Sequence, residues 1–145
     1  MKIKLKKLQD DAIIPTYAKD GDAGADLYAS HSMTLMPNET KLVPTGIAVA
    51  IPAGYVGLIH PRSGLAAKNS ITVLNTPGTI DSGFRGELKV ILINHGPQNF
   101  EISRGDRIAQ LVLQKVEHAI FLEVDELDAT ERGNGGFGST GKGWD

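Results

Sequence analysis

The sequence predicts an all-β sandwich or barrel, and three observations carry that prediction. Short runs rich in β-branched residues recur along the chain at intervals of about 8–12 residues. Turn chemistry built on Gly, Pro, Asn and Asp separates them. No segment keeps apolar residues at helical spacing over three turns. A length of 145 residues suits one domain with its own core, and neither a repeat nor an interdomain linker is visible.

The elements follow in order. Lys2 to Leu5 alternates polar and apolar residues, as a strand does. Asp22-Ala23-Gly24-Ala25-Asp26-Leu27 is a small-residue loop that feeds a strand at Leu27-Tyr28-Ala29, and Pro37-Asn38-Glu39 marks a turn. Ile47, Val49 and Ile51 alternate with Ala48 and Ala50 in a further strand, which Pro52-Ala53-Gly54 ends. Tyr55 to Ile59 is the next strand, Pro61-Arg62-Ser63-Gly64 breaks it, and Leu65 to Lys68 suits one short helical turn. Ile71 to Leu74 and Leu88 to Ile93 read as strands on either side of a loop that holds Pro77 and three glycines. Phe100 to Ile102, a turn at Arg104-Gly105-Asp106, a long strand from Arg107 to Val116, and a last strand from Ile120 to Val124 complete the body.

Thr130 to Asp145 differs. It is dominated by glycine and cannot build a core, so the expected division is a body over 1–129 and a flexible arm over 130–145. Arg132, Phe137 and Trp144 are unusual residues for chain that is merely solvated.

Composition excludes several functions. A net charge of -2 gives no global basic field for nucleic acid or an anionic membrane. The absence of cysteine removes disulfides, thiolate zinc sites and cysteine nucleophiles. Lys2 to Lys7 is basic, but no continuous apolar run follows, so a secretory signal is not expected. No stretch is long enough to span a bilayer, and a cytoplasmic location is the default.

The loop from Leu74 to Leu88 concentrates chemistry. Asn75 offers an amide that both donates and accepts, Asp81 is a lone carboxylate, and Phe84 supplies a ring. Such a set suits a nucleobase, a water and a sugar, although a decorated turn is the ordinary reading of a loop like this. In the arm, Gly133 to Gly138 fits G-x-G-x-x-G, but a dinucleotide site needs a strand before it and a helix after it, and neither fits so near the end. Gly136 to Lys142 resembles a phosphate loop, but Gly143 stands where a magnesium-binding hydroxyl belongs. What remains is physical: glycines let backbone N–H groups approach phosphate oxygens, with Ser139 and Thr140 as further donors.

Four of the five arginines, Arg62, Arg85, Arg107 and Arg132, lie in or beside glycine-containing loops and together favour an anionic ligand. His31, His60, His95 and His118 show no metal spacing, and Ser63 is not in a hydrolase elbow. Asp22, Asp26 and Asp81 are able to hold Mg2+ directly or through water, with capping or turn roles as the alternative for the first two.

Five ordered stretches resemble the motifs of the trimeric dUTPases, the deoxyuridine triphosphate nucleotidohydrolases. They are Ala23 to Leu27, Pro61 to Ala66, Gly78 to Asp81, Gly105 to Gln110 and Arg132 to Gly141. The resemblance implies a jelly-roll β-sandwich in a homotrimer with active sites shared between subunits. It implies Mg2+-dependent hydrolysis of dUTP to dUMP and pyrophosphate by water attack on the α-phosphorus. That activity keeps uracil out of DNA and supplies dUMP for thymidylate synthesis; no direct contact with nucleic acid or membrane is implied.

The same resemblance implies residue roles. Asp81 matches the carboxylate that activates the attacking water, and Asp26 the one that reaches Mg2+ through coordinated water. Asn75, with Thr79 and Ile80 in its hairpin, matches the uracil-binding positions, and Lys89 a main-chain contact to the base. Arg62, Ser63, Gly64 and Gln110 match phosphate-binding positions. Arg132 matches the γ-phosphate arginine and Phe137 the ring over uracil, with Gly138 and Ser139 beside it. Phe84 stands where the family usually has a tyrosine whose ring packs on the deoxyribose. A dCTP deaminase of the same fold, a non-catalytic nucleotide-binding module and a capsid-type jelly roll are the rival expectations. No signature for the cytosine amino group is found, Asp81 and the arm motif are both present, and a capsid has no use for Arg132 and Phe137.

Overall fold

Strand residues alternate between core and solvent, and two antiparallel sheets follow from that alternation. The computed structural model describes residues 1–144; Asp145, the last residue of the expected arm, lies outside them. The strands are β1 (Lys4–Lys7), β2 (Ala25–Tyr28), β3 (Met33–Leu35), β4 (Thr40–Ala50) and β5 (Tyr55–His60). After the helix α1 (Ser63–Asn69) come β6 (Ile71–Val73), β7 (Gly78–Ile80), β8 (Glu87–Asn94), β9 (Phe100–Ile102) and β10 (Arg107–Lys115). One sheet has the order β1-β4-β8-β6, the second β2-β10-β5-β7, and β3 pairs with β9 in a small ribbon. Leu88, Val90 and Leu92 of β8 are buried while Lys89 is exposed. They meet Leu27, Ile59, Ala109 and Leu111 of the other sheet in one core, so the expected β-sandwich is the fold.

β4 is the longest strand and carries an irregularity. Its register against β8 shifts between Pro44 and Ala48. Pro44 has no N–H to give the ladder, and Gly46 takes a positive φ of 72°, a combination suited to a bulge. The freed groups are satisfied from β8: Thr45 Oγ1 donates to Leu88 O (2.6 Å) and the Gly46 N–H donates to Glu87 Oε2 (3.0 Å). The turn before β4 is the expected one at Pro37-Asn38. In it, the Met36 N–H donates to Glu39 Oε1 (3.1 Å) and keeps that carboxyl below its ordinary pKa.

Several expectations differ from the structure, among them the start of β4 at Thr40 rather than Ile47 and of β2 at Ala25, inside the expected loop. The helix is longer than Leu65–Lys68, and Ser70 ends it in the left-handed region at φ 57° with its N–H on Ala66 O. β7 lies inside what reads as a continuous loop; it is short, begins at glycine and exists because it pairs with β5, Gly57 facing Ile80. No strand forms over Ile120–Val124. That segment has no neighbour to pair with in one chain, and Ile120 (89%), Phe121 (94%) and Leu122 (80%) are almost fully exposed.

Asn94, the last residue of β8, is a fully buried polar hub. Its Nδ2 donates to Leu35 O (2.9 Å) and Gln98 O (2.8 Å), and its Oδ1 accepts from the Gly96 N–H (2.8 Å). Asn94→Ala leaves those groups without partners in the interior, and each costs about 1–3 kcal/mol. The expected loss is about 3 kcal/mol or more of unfolding free energy in a urea titration; a change within 0.5 kcal/mol (about the size of a surface substitution) would remove Asn94 from that role.

Candidate active site

Strand register builds the first cluster of functional side chains. Gln110 on β10 pairs with Asp26 on β2 and with His60 on β5, so the three form one row across the sheet. Their neighbours Leu27, Ile59, Ala109 and Leu111 point into the core, which leaves the row on the outer face. β5 ends at His60, and the break at Pro61 brings Arg62, Ser63 and Gly64 beside that row. The result is a cavity of about 320 Å3 lined by Asp22, Gly24, Asp26, Arg62, Ser63, Gly64 and Gln110, among others. Gln110 Nε2 donates to Pro61 O (2.9 Å), which ties β10 to the break. Gly24 is required here, because a Cβ would stand 2.9 Å from Gln110 Cβ and overlap its amide.

The electrostatics of the cavity centre on Asp26. Asp26 is only 8% exposed, and a buried carboxylate needs counter-charge. Arg62 Nε lies 3.5 Å from Oδ1 and Arg107 Nε 3.1 Å from Oδ2. The two guanidinium groups offset Asp26, and with Asp22 also on the lining the charges of the cluster balance; the guanidinium forks still offer donors that suit phosphate oxygens. Arg107 belongs to the cluster; the sequence placed it among the arginines that favour an anionic ligand but gave it no site role of its own. Tyr28 and Thr16 also reach the cluster, with no signal in the sequence.

The second cluster sits at the far edge of the same sheet. β7 and β2 are its two edge strands, three interstrand spacings or about 14 Å apart. Asn75, Thr79, Ile80, Asp81 and Phe84 gather on the β7 hairpin. The Asn75 amide packs on Gly78, where a Cβ would stand 3.3 Å from Nδ2. The Phe84 N–H donates to Asp81 O (3.1 Å), which closes a turn. The Phe84 ring lies over Gly86, where a Cβ would stand 2.6 Å from Cζ. Arg85 Nη1 donates to Ser82 O (2.6 Å) and Phe84 O (2.9 Å) and fastens the tip. The Asp81 carboxylate is exposed and has no hydrogen-bond or ion-pair partner among the described residues. Lys89 is exposed on β8, in the other sheet.

The arm forms a third group. Arg132 Nε donates to Gly135 O (2.9 Å), and turns follow at Gly136–Ser139 and Gly138–Gly141. Phe137 is fully exposed, and Gly138 and Ser139 are exposed beside it. One chain therefore brings Asp26, Arg62, Ser63, Gly64 and Gln110 together, holds the hairpin set elsewhere, and leaves Arg132 and Phe137 unburied. Among the described residues no three His, Asp or Glu side chains converge on a metal position. A divalent ion at Asp26 would take most of its ligands from water and from the bound anion, which is how Mg2+ ordinarily binds beside phosphates.

A family model described as dUTPase matches residues 10–141. The deoxyuridine 5'-triphosphate nucleotidohydrolase of Nocardia farcinica is 58% identical over 140 residues, covering 96% of this chain and 85% of that protein. The enzyme of the same name from Clostridioides difficile is 54% identical over 139 residues, covering 96% and 97%. A mutant dUTPase of Staphylococcus bacteriophage 80alpha, solved with dUpNHpp, superposes with a TM-score of 0.91 at 29% identity, covering 97% of this chain and 99% of that one. A mutant dUTPase of phage phi11 of S. aureus, whose structure is described as revealing coordination of a structural Mg(II) ion, gives 0.82 at 26% identity over 89% and 100%.

The fit of Gly24 against Gln110 yields a test. Gly24→Ala pushes the Gln110 amide off Pro61 O and narrows the cavity. Binding of inorganic triphosphate, measured by calorimetry, is expected to weaken about tenfold, the equivalent of one lost hydrogen bond. Unchanged affinity would show that Gln110 has no part in the cavity.

Proposed function

The chain belongs to the dUTPase family, and from that membership we propose that it hydrolyses dUTP to dUMP and pyrophosphate in sites shared between the subunits of a homotrimer. The observation that carries the shared-site reading is the separation of the clusters. Asp26 on β2 and the hairpin on β7 occupy opposite edges of one sheet, which supports a site that draws the two from different copies. A closed three-fold ring gives every copy both neighbours it needs.

The last part of the chain supports the same reading. Residues 117–131 carry six carboxylates and no lysine or arginine, together with exposed Ile120, Phe121, Leu122, Val124 and Leu127. β1 is an edge strand with Lys4 and Lys6 on one side and Leu5 on the other. An acidic and apolar segment from a second copy complements that edge in charge and polarity. It would carry residues 130–145 across to the neighbour's site.

The residue roles follow from the two surfaces. Arg62, Ser63, Gly64 and Gln110 hold the phosphates. Asn75 and the hairpin backbone at Thr79 and Ile80, with the main chain of Lys89, read uracil, and Phe84 packs on the deoxyribose. Arg132 takes the γ-phosphate, and Phe137, Gly138 and Ser139 close over the base. Asp81, which has no competing partner, takes a proton from the water that attacks the α-phosphorus. Asp26 fits a role toward Mg2+ through coordinated water, because two of its four lone-pair sites remain beside the arginines. When bound, the ion supplies charge neutralisation for the triphosphate. The reaction keeps uracil out of DNA and provides dUMP for thymidylate synthesis. The expected compartment is the cytoplasm; among the described residues no helix is long and apolar enough to cross a membrane.

Asp81→Asn is expected to lower kcat by about 10²–10⁴ while dUpNHpp still binds. A chain truncated before Arg132 is expected to be inactive as well. Co-assembled in equal amounts, the two recover activity at about a quarter of sites if the arm serves a neighbour. Verified mixed trimers without activity would show that each arm serves its own subunit.

Phe84→Ala opens the space beside C2′ and is expected to raise the UTP-to-dUTP ratio of kcat/KM by about tenfold or more. An unchanged ratio would take Phe84 out of sugar selection.

A further inference from the structure

Arg107 holds the closer of the two contacts to Asp26, yet its own side chain is half exposed. A long cation at the surface keeps one geometry only if something orders it, since its rotamer entropy opposes a fixed position. Three features supply that order. The first is backbone. The pairing of β10 with β2 shifts register between Arg107 and Ala109. Ile108 and Ala109 are both buried, so two successive side chains turn inward and Arg107 is left opposite Tyr28. A bulge beside a functional cluster re-aims a side chain in this way.

The second feature is Tyr28. It lies two residues from Asp26 on β2, on the same face, and the Arg107 guanidinium carbon stands 5.6 Å from its ring centroid. The third is Thr16, which reaches both residues. Its Oγ1 hydrogen-bonds the Tyr28 hydroxyl (2.5 Å), and its carbonyl accepts the Asp26 N–H (2.8 Å). Thr16 thus fixes the ring that orders Arg107 and the backbone of the residue that Arg107 neutralises.

We propose that Thr16 and Tyr28 are positioning residues that act through Arg107. They keep Arg107 on Asp26, so that Arg62, held only by long contacts to Asp26 Oδ1 (3.5 Å) and, through Nη1, to Arg107 O (3.3 Å), can give them up and turn its guanidinium to the ligand. Without Arg107, Asp26 draws Arg62 in as its sole counter-charge, and the polyphosphate side of the site loses a donor. This rests on the reading of the cavity as the phosphate side of a dUTP site.

The test is a double-mutant cycle on the full-length assembled protein, with binding of dUpNHpp and dUMP measured by calorimetry. Wild-type protein that fails to bind dUpNHpp would overturn the dUTP-site reading and the proposal with it. With that binding in place, Tyr28→Leu is expected to weaken dUpNHpp by about three- to thirtyfold, the range of a cation–π contact. dUMP, which makes few contacts on the polyphosphate side, is expected to stay within about twofold, below the spread of a lost hydrogen bond. Thr16→Val and Tyr28→Phe remove the same hydrogen bond, and each is expected to give a smaller loss that the double variant does not deepen. In an Arg107→Ala background none of the three has a further effect. Equal losses for both ligands, or a Tyr28→Leu loss undiminished in the Arg107→Ala background, would overturn the proposal. Thr16 is exposed and Tyr28→Phe keeps the ring, so those two variants carry the test if Tyr28→Leu does not fold.

Discussion

Strand spacing is the constraint on which the rest of this molecule depends. Interstrand hydrogen bonds fix neighbouring strands at about 4.8 Å, and the order β2-β10-β5-β7 puts Asp26 and the Asp81 hairpin on opposite edges. No side-chain rotation spans that width, and bending the sheet enough to close it would break the core between the sheets. Asp26 and the Asp81 hairpin each belong to an edge strand, where loops carry chemistry without disturbing the packed interior. In the proposed shared site, two sandwiches would each supply one half, and completion would depend on assembly.

Burial of Asp26 has the next largest consequences. Removing a carboxylate from water costs several kcal/mol unless counter-charge repays it. Here the repayment comes from Arg62 and Arg107, which approach from different elements, the break after β5 and the start of β10. The ion pairs couple the geometry of both elements to one buried oxygen pair. Arg62 Nη1 also donates to Arg107 O (3.3 Å), which links the start of β10 to Arg62 although the two positions are 45 residues apart in sequence. Gln110 adds a second tie between the same elements through Pro61 O. Function-bearing residues and fold-holding contacts coincide in this corner, so substitutions there change affinity and stability together.

Much of this was legible in the sequence, and the limits are physical. β8 and β10 alternate over eight and nine residues with one face buried, so period-2 reading finds them. β9 has three residues and is still found, because Phe100-Glu101-Ile102 alternates between turns. β7 has the same length but begins with glycine, and only its pairing with Gly57 and Leu58 makes it a strand. Ile120–Val124 has strand composition, but a strand needs a partner, and composition does not say which chain supplies one. The clusters divide in the same way. Asp26, Arg62 and Gln110 were singled out through motif resemblance; Arg107 lies in the same motif as Gln110 and among the arginines that favour an anionic ligand, but its approach to Asp26 depends on a bulge, and bulges leave no clear composition signal. Thr16 and Tyr28 meet through tertiary contact over a separation of 12 residues. The separation of Asp81 from Asp26 was invisible because motif order along a chain carries no distance.

The two halves of the chain's end follow different physics. Residues 116–129 expose large apolar side chains, and burying Ile120, Phe121, Leu122 and Leu127 would contribute roughly 1.5–3 kcal/mol each. That offsets much of the backbone entropy lost when such a segment is ordered, about 1–2 kcal/mol per residue. Docked on a neighbour, this half would act as a permanent anchor. Residues 130–145 contain six glycines, each costing up to about 1 kcal/mol more than alanine to fix. Over residues 130–144 the backbone makes only short-range turns within the segment. Nothing in that half repays its own ordering, so the compensation has to come from what Arg132 and Phe137 touch. A triphosphate offers charge to Arg132 and a base offers a face to Phe137. If Arg132 takes the γ-phosphate as proposed, cleavage would remove the terminal phosphates and with them the charge that held it. An anchored first half and a ligand-ordered second half would then give closure on the substrate and release of the product without a separate switch.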